Sequence, residues 1–165
     1  MFTLPAFSSA DKPALYRDLT DVALALTEGE SDSIANMANL AALLWQALPD
    51  INWAGFYRLV EDELVLGPFQ GKPACIRIKL GKGVCGTAAA SRTVQRVEDV
   101  HAFPGHIACD PASASEIVLP IMVGERVIGV LDIDSPVTAR FDAEDEVGLR
   151  LLIDRIAGRI AEQTA

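Results

Sequence analysis

The sequence lacks the features that mark several common functional classes. It has no run of about 20 apolar residues, which a membrane-spanning helix needs, and residues 1–10 lack the basic start and apolar core of a signal peptide. Basic residues are few, with 14 Lys and Arg against 23 Asp and Glu and a net charge of −9. Such acidity disfavours binding to nucleic acid or anionic membranes, so we expect neither as a partner. Without a signal peptide or a membrane span, we expect the protein to be cytoplasmic.

Cysteine and histidine are also scarce, which restricts the possible chemistry. The chain has three cysteines and two histidines. Cys75, Cys85 and Cys109 are ten and twenty-four residues apart, which does not match paired CxxC zinc knuckles. A reducing cytoplasm disfavours a structural disulfide. The cysteines are therefore candidates for catalysis, for a metal site shared with His101 or His106, or for inert burial.

Apolar residues make up half of the chain, which is enough for one domain over residues 1–165. Helical spacing predicts helices over 13–28, over 31–48 and from Asp142 to Ile160. The apolar stripe of the second helix includes Ile34 and Trp45. A Gly-rich and then Ala-rich stretch predicts a loop that opens a short helix, 81–91. Strands are predicted at 52–60, 63–68, 73–79, 94–99, 116–123 and 126–134. This order predicts an α+β domain with the long helices on one face of an antiparallel sheet and loops over the other.

Acidic residues cluster on one face of the last predicted strand. Asp132 and Asp134 are alternate residues, about 7 Å apart along an ideal strand. Ile128 and Val130 are predicted on the same face, and Glu116 begins the neighbouring strand. Three carboxylates around one pocket would bind an ammonium group or raise one another's pKa until one keeps its proton. The alternative is a strand end that emerges into solvent.

Two aromatic residues and one loop cysteine complete the set of candidates. Trp53 and Tyr57 share a face of the first predicted hairpin. They would form the wall of a pocket, or they would be aromatic residues of the core or of a dimer surface. Cys109 lies in a long polar loop, 99–115, and loops commonly display reactive groups. Cys85 stands at a helix opening beside glycines, where burial and function are equally plausible.

Together these motifs resemble the free methionine-(R)-sulfoxide reductases, a family of single GAF domains. The similarity runs from Asp11 to Ile160 and keeps all three cysteines in their motifs. HIACD, KPACIRI and LDIDS are more specific than the fold, which many sensors share. The matching stretches are NWAGFY (52–57), LGPFQGKPACIRI (66–78), GKGVCG (81–86), DVHAFPGHIACDPASASEIVLPI (99–121) and GVLDIDSP (129–136).

The resemblance implies thiol chemistry without a metal or an organic cofactor. Cys109 would attack the sulfoxide sulfur as the nucleophile and become a sulfenic acid. Cys75 would be the main resolving cysteine, and thioredoxin would reduce the resulting disulfide by exchange. Cys85 matches a third family cysteine with an auxiliary or variable role. The resemblance also implies a homodimer.

The resemblance further implies how the substrate is held. Trp53 would pack on the methyl end of the substrate, with Tyr57 close to it. Glu116, Asp132 and Asp134 would hold the substrate and supply a proton to the departing oxygen. A carboxylate grip on the α-ammonium would also explain a preference for the free amino acid, because a peptide bond at that nitrogen removes its charge.

Three other classes of protein remain compatible with parts of the sequence. A GAF sensor would bind a small ligand unchanged, although sensors usually sit beside an output domain and no linker is visible here. A thiol peroxidase would use Cys109 against peroxide and would need no carboxylate pocket. A zinc-binding structural protein would use the cysteines as ligands.

Overall fold

The computed structural model describes residues 6–8, 10–107 and 110–161. The predicted nucleophile, Cys109, lies outside the described residues. The described part of the chain holds four α-helices and six strands in an α+β domain, as the sequence predicts. No helix in these ranges is long and apolar enough to cross a bilayer.

Side-chain caps fix where the three long helices begin. α1 (Lys12–Leu26) follows Asp11, whose carboxylate accepts a hydrogen bond from the Ala14 amide at 3.0 Å. α2 (Ser33–Ala47) begins two residues later than predicted because Asp32 caps it in the same way. α4 (Ala143–Ile160) begins at a reciprocal capping box formed by Asp142 and Asp145, which confirms its predicted start.

The strands form one antiparallel sheet in the order β3-β2-β1-β6-β5-β4. β1 and β2 pair as a hairpin, and β5 and β6 pair through a turn at Gly124 and Glu125, as predicted. The strand bounds are β1 (Trp53–Val60), β2 (Glu63–Gly71), β3 (Arg77–Lys79), β4 (Gln95–Val97), β5 (Ser115–Val123) and β6 (Arg126–Ser135). The two central strands of the sheet are therefore β1 and β6.

The sheet separates two clusters of buried side chains. α1, α2 and α4 pack on one face, against residues that include Phe56, Ile117 and Leu131. The opposite face carries the alternate positions, among them Val118 and Val130, and is covered by α3 (Gly83–Ser91) and loops. This confirms the predicted layers, and it leaves the face under α3 for the chemistry-bearing residues.

Three local predictions are wrong for identifiable reasons. The third strand begins at Arg77 rather than at residue 73, since Pro73 has no N–H to donate to a ladder. Cys75 therefore lies in the loop before β3 and not in a strand. Ile128 packs with the long helices, because an irregularity in the β5–β6 pairing adds one residue to β6 and turns its side chain to the other face. Ile34 and Trp45 are 43% and 38% exposed at the edge of the α2 stripe.

Candidate active site

A cavity lies between the sheet and α3, and the predicted site residues converge on it. Its walls come from β1, β3, β5, β6, the first turn of α3, the loop residues 72–74, and residues 106, 107, 110 and 113. Seven of the residues singled out in the sequence line this cavity: Trp53, Tyr57, Cys85, His106, Glu116, Asp132 and Asp134. The structure thus assembles residues that are up to 81 positions apart in the sequence.

The register of the central strands places the three carboxylates side by side. Asp134 on β6 is paired with Trp53 on one side and with Glu116 on the other. Asp132 precedes it by two residues and so points to the same face. Asp132 and Glu116 are only 7% and 6% exposed. Asp132 and Glu116 therefore lie inside the domain, and half-buried Asp134 completes the cluster beside them.

Trp53 and Tyr57 form the aromatic wall of the cavity, and Phe69 stacks on the Trp53 ring. The Trp53 ring lies 5.9 Å from Tyr57 and 5.1 Å from Phe69, centroid to centroid, with interplanar angles of 23° and 13°. Gly55, between Trp53 and Tyr57 on β1, makes this stack possible, because a Cβ there would lie 2.8 Å from Cη2 of Trp53 and 2.3 Å from Cβ of Phe69. Sequence reasoning missed Gly55 and Phe69, whose pairing depends on the β1–β2 register.

Burial and mutual repulsion favour protonated carboxyls in this cluster. Burial raises the pKa of Glu116 well above its usual range, and the charges of Asp132 and Asp134 raise it further. Burial followed by the charge of Asp132 raises the pKa of Asp134 in the same way. Burial raises the pKa of Asp132 to about 6. The pocket can therefore hold a carboxylic acid near neutral pH, which is the form that donates a proton.

We expect Asp132→Asn to stabilise the fold, and to do so more at pH 8 than at pH 4. The folded pKa of Asp132 is about 6, against about 3.9 in an unfolded chain. Ionisation therefore opposes folding progressively as the pH rises between these two values, at a final cost of about 2–3 kcal/mol. Asn has nearly the same shape and no charge. Urea unfolding should show a gain of about 2 kcal/mol at pH 8 and little gain at pH 4.

Asp154→Asn is the matched control for this measurement. Asp154 is exposed on α4, so the substitution removes the same charge away from the cavity. Its effect should be within about 0.5 kcal/mol at both pH values. An equal gain from both substitutions would show that net charge, and not burial of Asp132, is responsible.

Cys85 enters the cavity from the first turn of α3 as a free, buried thiol. Its Sγ lies 4.0 Å from Oε1 of Glu116. Burial raises the pKa of Cys85 well above its usual range, and the neighbouring charges of Asp132 and Glu116 raise it further. Because the thiolate is the nucleophilic form, these surroundings make Cys85 a poor nucleophile.

The same residues form a group with the composition of a metal site. One ligand atom each from Cys85, Glu116 and Asp132 lies within 4.8 Å of the others. A thiolate and two carboxylates would suit a divalent cation if all three lost their protons. The raised pKa values of all three favour protons over ligation.

Cys75 lies beside the aromatic wall and is disulfide-bonded. The phenol of Tyr57 donates a hydrogen bond of 3.0 Å to the Cys75 carbonyl, and the Trp53 indole donates one of 3.1 Å to the Lys72 carbonyl. The two aromatic rings of the pocket therefore also fix the backbone of the segment that carries Cys75. Burial, more than nearby charge, raises the pKa of Tyr57 and keeps this donor protonated.

Several polar residues at the mouth of the cavity were not predicted as site residues. Asn52, Lys72, Asp110 and Ser113 form a connected group, with Asn52 Nδ2 3.1 Å from Oγ of Ser113. His106, named in the sequence only as a candidate metal ligand, also lines the cavity, and its Nε2 lies 3.8 Å from Oε2 of Glu116. The available signal was that all five residues lie within the stretches NWAGFY, LGPFQGKPACIRI and DVHAFPGHIACDPASASEIVLPI that carry the family resemblance.

Comparison with known proteins defines the class of this domain. The sequence pattern of the GAF domain matches residues 34–161. The chain is 60% identical over 146 residues to the free methionine-R-sulfoxide reductase of Escherichia coli K12, with 88% of each chain covered. It is 47% identical over 135 residues to the enzyme of that name from Saccharomyces cerevisiae, covering 77% of this chain and 75% of that one.

A solved structure extends the comparison to the whole fold. Free methionine-R-sulfoxide reductase from Neisseria meningitidis, in complex with its substrate, superposes with a TM-score of 0.92 at 46% identity, covering 97% of this chain and 96% of that one. The sheet, the α3 cover and the pattern match define a GAF domain. Within that class, the chain belongs to the family of free methionine-R-sulfoxide reductases.

Proposed function

We propose that this protein reduces free methionine-R-sulfoxide to methionine with its own thiols. The observation that carries the proposal is the convergence of three carboxylates and two stacked aromatic rings on one cavity, beside a disulfide-bonded cysteine. The identity to reductases of known name supports the same substrate. The reaction class is oxygen-atom removal from sulfur at the expense of two thiols.

The substrate fits the two chemically different sides of the cavity. The Trp53 and Tyr57 rings offer an apolar wall to the methyl end. Asp132 Oδ1 is buried without a hydrogen-bond partner among the described residues. It can therefore accept a hydrogen bond from an ammonium group without breaking an existing one. Asp134, beside it on β6, would share this cation. A peptide nitrogen carries no charge and would leave both carboxylates uncompensated.

Glu116 is the proposed general acid. Its pKa is raised by burial and by both aspartates, so it carries a proton near neutral pH. Binding of the substrate ammonium at Asp132 and Asp134 leaves Glu116 as the carboxyl that faces the sulfoxide. Transfer of its proton to the sulfoxide oxygen makes the S–O bond easier to break.

The proposed thiol sequence uses Cys109 first and Cys75 second. The Cys109 thiolate attacks the sulfoxide sulfur, methionine leaves, and the oxygen stays on Cys109 as a sulfenic acid. The Cys75 thiol then attacks that sulfur; the S–O bond breaks, water leaves and a disulfide forms. Cys75 is disulfide-bonded while Cys85 is a free thiol, which supports Cys109, the third cysteine, as the partner. We propose that thioredoxin, a dithiol, reduces this disulfide by exchange and so regenerates the Cys75 and Cys109 thiols.

The remaining parts of the proposal concern the setting of the reaction. We propose a single GAF domain over residues 1–165 that acts as a homodimer in the cytoplasm. Cys85, Glu116 and Asp132 would hold protons and not a metal ion. The proposed thiol chemistry needs no metal and no organic cofactor. Metal analysis of the purified protein tests that last point, because zinc bound one per subunit would contradict it.

We expect the fully reduced protein to release one methionine per subunit when no reductant is present. Reduced, desalted protein is mixed with free methionine-R-sulfoxide, and methionine is followed by amino-acid analysis. Peptide mass mapping should then find Cys75 joined to Cys109 and Cys85 still free. Release of no methionine, with the sulfoxide bound intact, would favour the sensor function instead.

A further inference from the structure

One ion pair joins the two segments that carry the proposed redox cysteines. Lys72 lies three residues before Cys75, and Asp110 directly follows Cys109 in the sequence. Lys72 Nζ lies 3.2 Å from Oδ1 of Asp110. These two residues are 38 positions apart, so their contact exists only because the fold brings the segments together.

Both ends of this ion pair are anchored to the sheet or to the adjoining loop. On the Lys72 side, the indole of Trp53 holds the Lys72 carbonyl. On the other side, Asp110 accepts hydrogen bonds from Nδ2 of Asn52 at 3.3 Å and from the Ala112 amide at 2.9 Å. The ion pair therefore connects a residue whose carbonyl is held by Trp53 to a carboxylate that is held by Asn52 and Ala112.

The Asp110 side chain is charged where it meets Lys72. It is only 6% exposed, whereas the Lys72 side chain is 67% exposed. The Ala112 amide, more than Lys72 itself, lowers the pKa of Asp110 despite partial desolvation. The ion pair therefore has a buried, hydrogen-bonded end at Asp110 and a solvent-exposed end at Lys72.

We propose that Lys72 and Asp110 are positioning residues that hold the two cysteine segments together for the resolving step. The proposal rests on the proposed function, since that function makes the Cys75 thiol attack a Cys109 sulfenic acid. In that step the S–S bond forms, the S–O bond breaks, and hydroxide leaves as water with the thiol proton. The pair limits how far the two segments separate before the Cys75 thiol attacks the sulfenic acid.

Lys72→Met tests the proposal because it removes the ammonium and keeps most of the aliphatic stem. Reduced protein is mixed with free methionine-R-sulfoxide without reductant, and two rates are measured: methionine release and loss of free Cys75 thiol. We expect methionine release within twofold of wild type and disulfide formation slower by roughly three- to tenfold. More sulfenic acid should be trapped by dimedone during the interval.

Arg77→Met is the matched control. Arg77 also lies close to Cys75, and it makes an exposed ion pair of similar length, 3.3 Å to Glu63, within the β2–β3 edge. Its removal should change neither rate. Lys72→Arg should retain the wild-type rates, and raising the ionic strength should slow disulfide formation in wild type but not in Lys72→Met.

The outcomes separate this proposal from the proposed function. If Lys72→Met leaves disulfide formation unchanged, or if Arg77→Met slows it equally, the positioning role is wrong. If Lys72→Met slows methionine release to the same extent, the residue acts on substrate binding and the proposal is also wrong. If wild-type protein releases methionine without losing the Cys75 thiol, the proposed resolving step itself fails.

Discussion

Cys109→Ser should abolish turnover, with a loss of at least about a thousandfold. A serine hydroxyl is far less acidic than a thiol and does not attack sulfur or store the oxygen as a sulfenic acid. Cys85 is buried and its pKa is raised, so it cannot replace Cys109 as the nucleophile at neutral pH. The measurement is NADPH consumption with thioredoxin and thioredoxin reductase present.

Cys75→Ser is the informative comparison for this result. It removes the resolving thiol but keeps the nucleophile, so reduced protein should still release about one methionine per subunit and then stall or recycle poorly. Cys109→Ser should release none. Wild-type rates in Cys109→Ser would contradict the nucleophile assignment, and unimpaired turnover in Cys75→Ser would exclude a necessary resolving role.

Glu116→Gln should lower kcat by about a hundredfold to ten-thousandfold, the usual contribution of a general acid. Glutamine keeps the shape and cannot give up a proton at an accessible pH. Since the pKa of Glu116 is raised, wild-type activity should fall on the alkaline side as Glu116 loses its proton. The variant should lack this decline. The pH dependence of kcat measures both effects.

Two further variants make this prediction specific. Glu125→Gln is the control, because Glu125 is exposed in the turn between β5 and β6 and the same substitution there should leave kcat unchanged. Asp134→Asn removes a charge that raises the pKa of Glu116, so the alkaline decline should move to lower pH as turnover drops. A wild-type pH profile in Glu116→Gln would place the acid elsewhere.

Local patterns in the sequence predict most of what positions this site. Alternation along β6 places Asp132 and Asp134 on one face, although the pattern left open whether that face meets a pocket or solvent. The structure buries Asp132 and Glu116 at the cavity. The α4 capping box is equally local, because its two residues lie within one helical turn. Such features depend only on neighbours in the sequence.

Features that depend on strand register could not be predicted in the same way. Ile128 changes face because the β5–β6 register shifts between Ile121 and Met122, which leaves Ile128 as an extra residue on β6. No residue type signals that shift in advance. The packing of Trp53 over Gly55 requires the β1–β2 register, which only the paired strand supplies. The Lys72–Asp110 ion pair likewise joins two loops across the cavity mouth.

The most direct test of the central claim offers the protein three substrates under identical conditions. NADPH consumption is measured with thioredoxin and its reductase, using free methionine-R-sulfoxide, the free S epimer and a peptide-bound sulfoxide. We predict turnover of the free R form alone, because the proposed carboxylate grip needs a free ammonium and because the chain belongs to a family named for the free R epimer. Turnover of the peptide-bound form, or binding of the free R form without any turnover, would contradict the account.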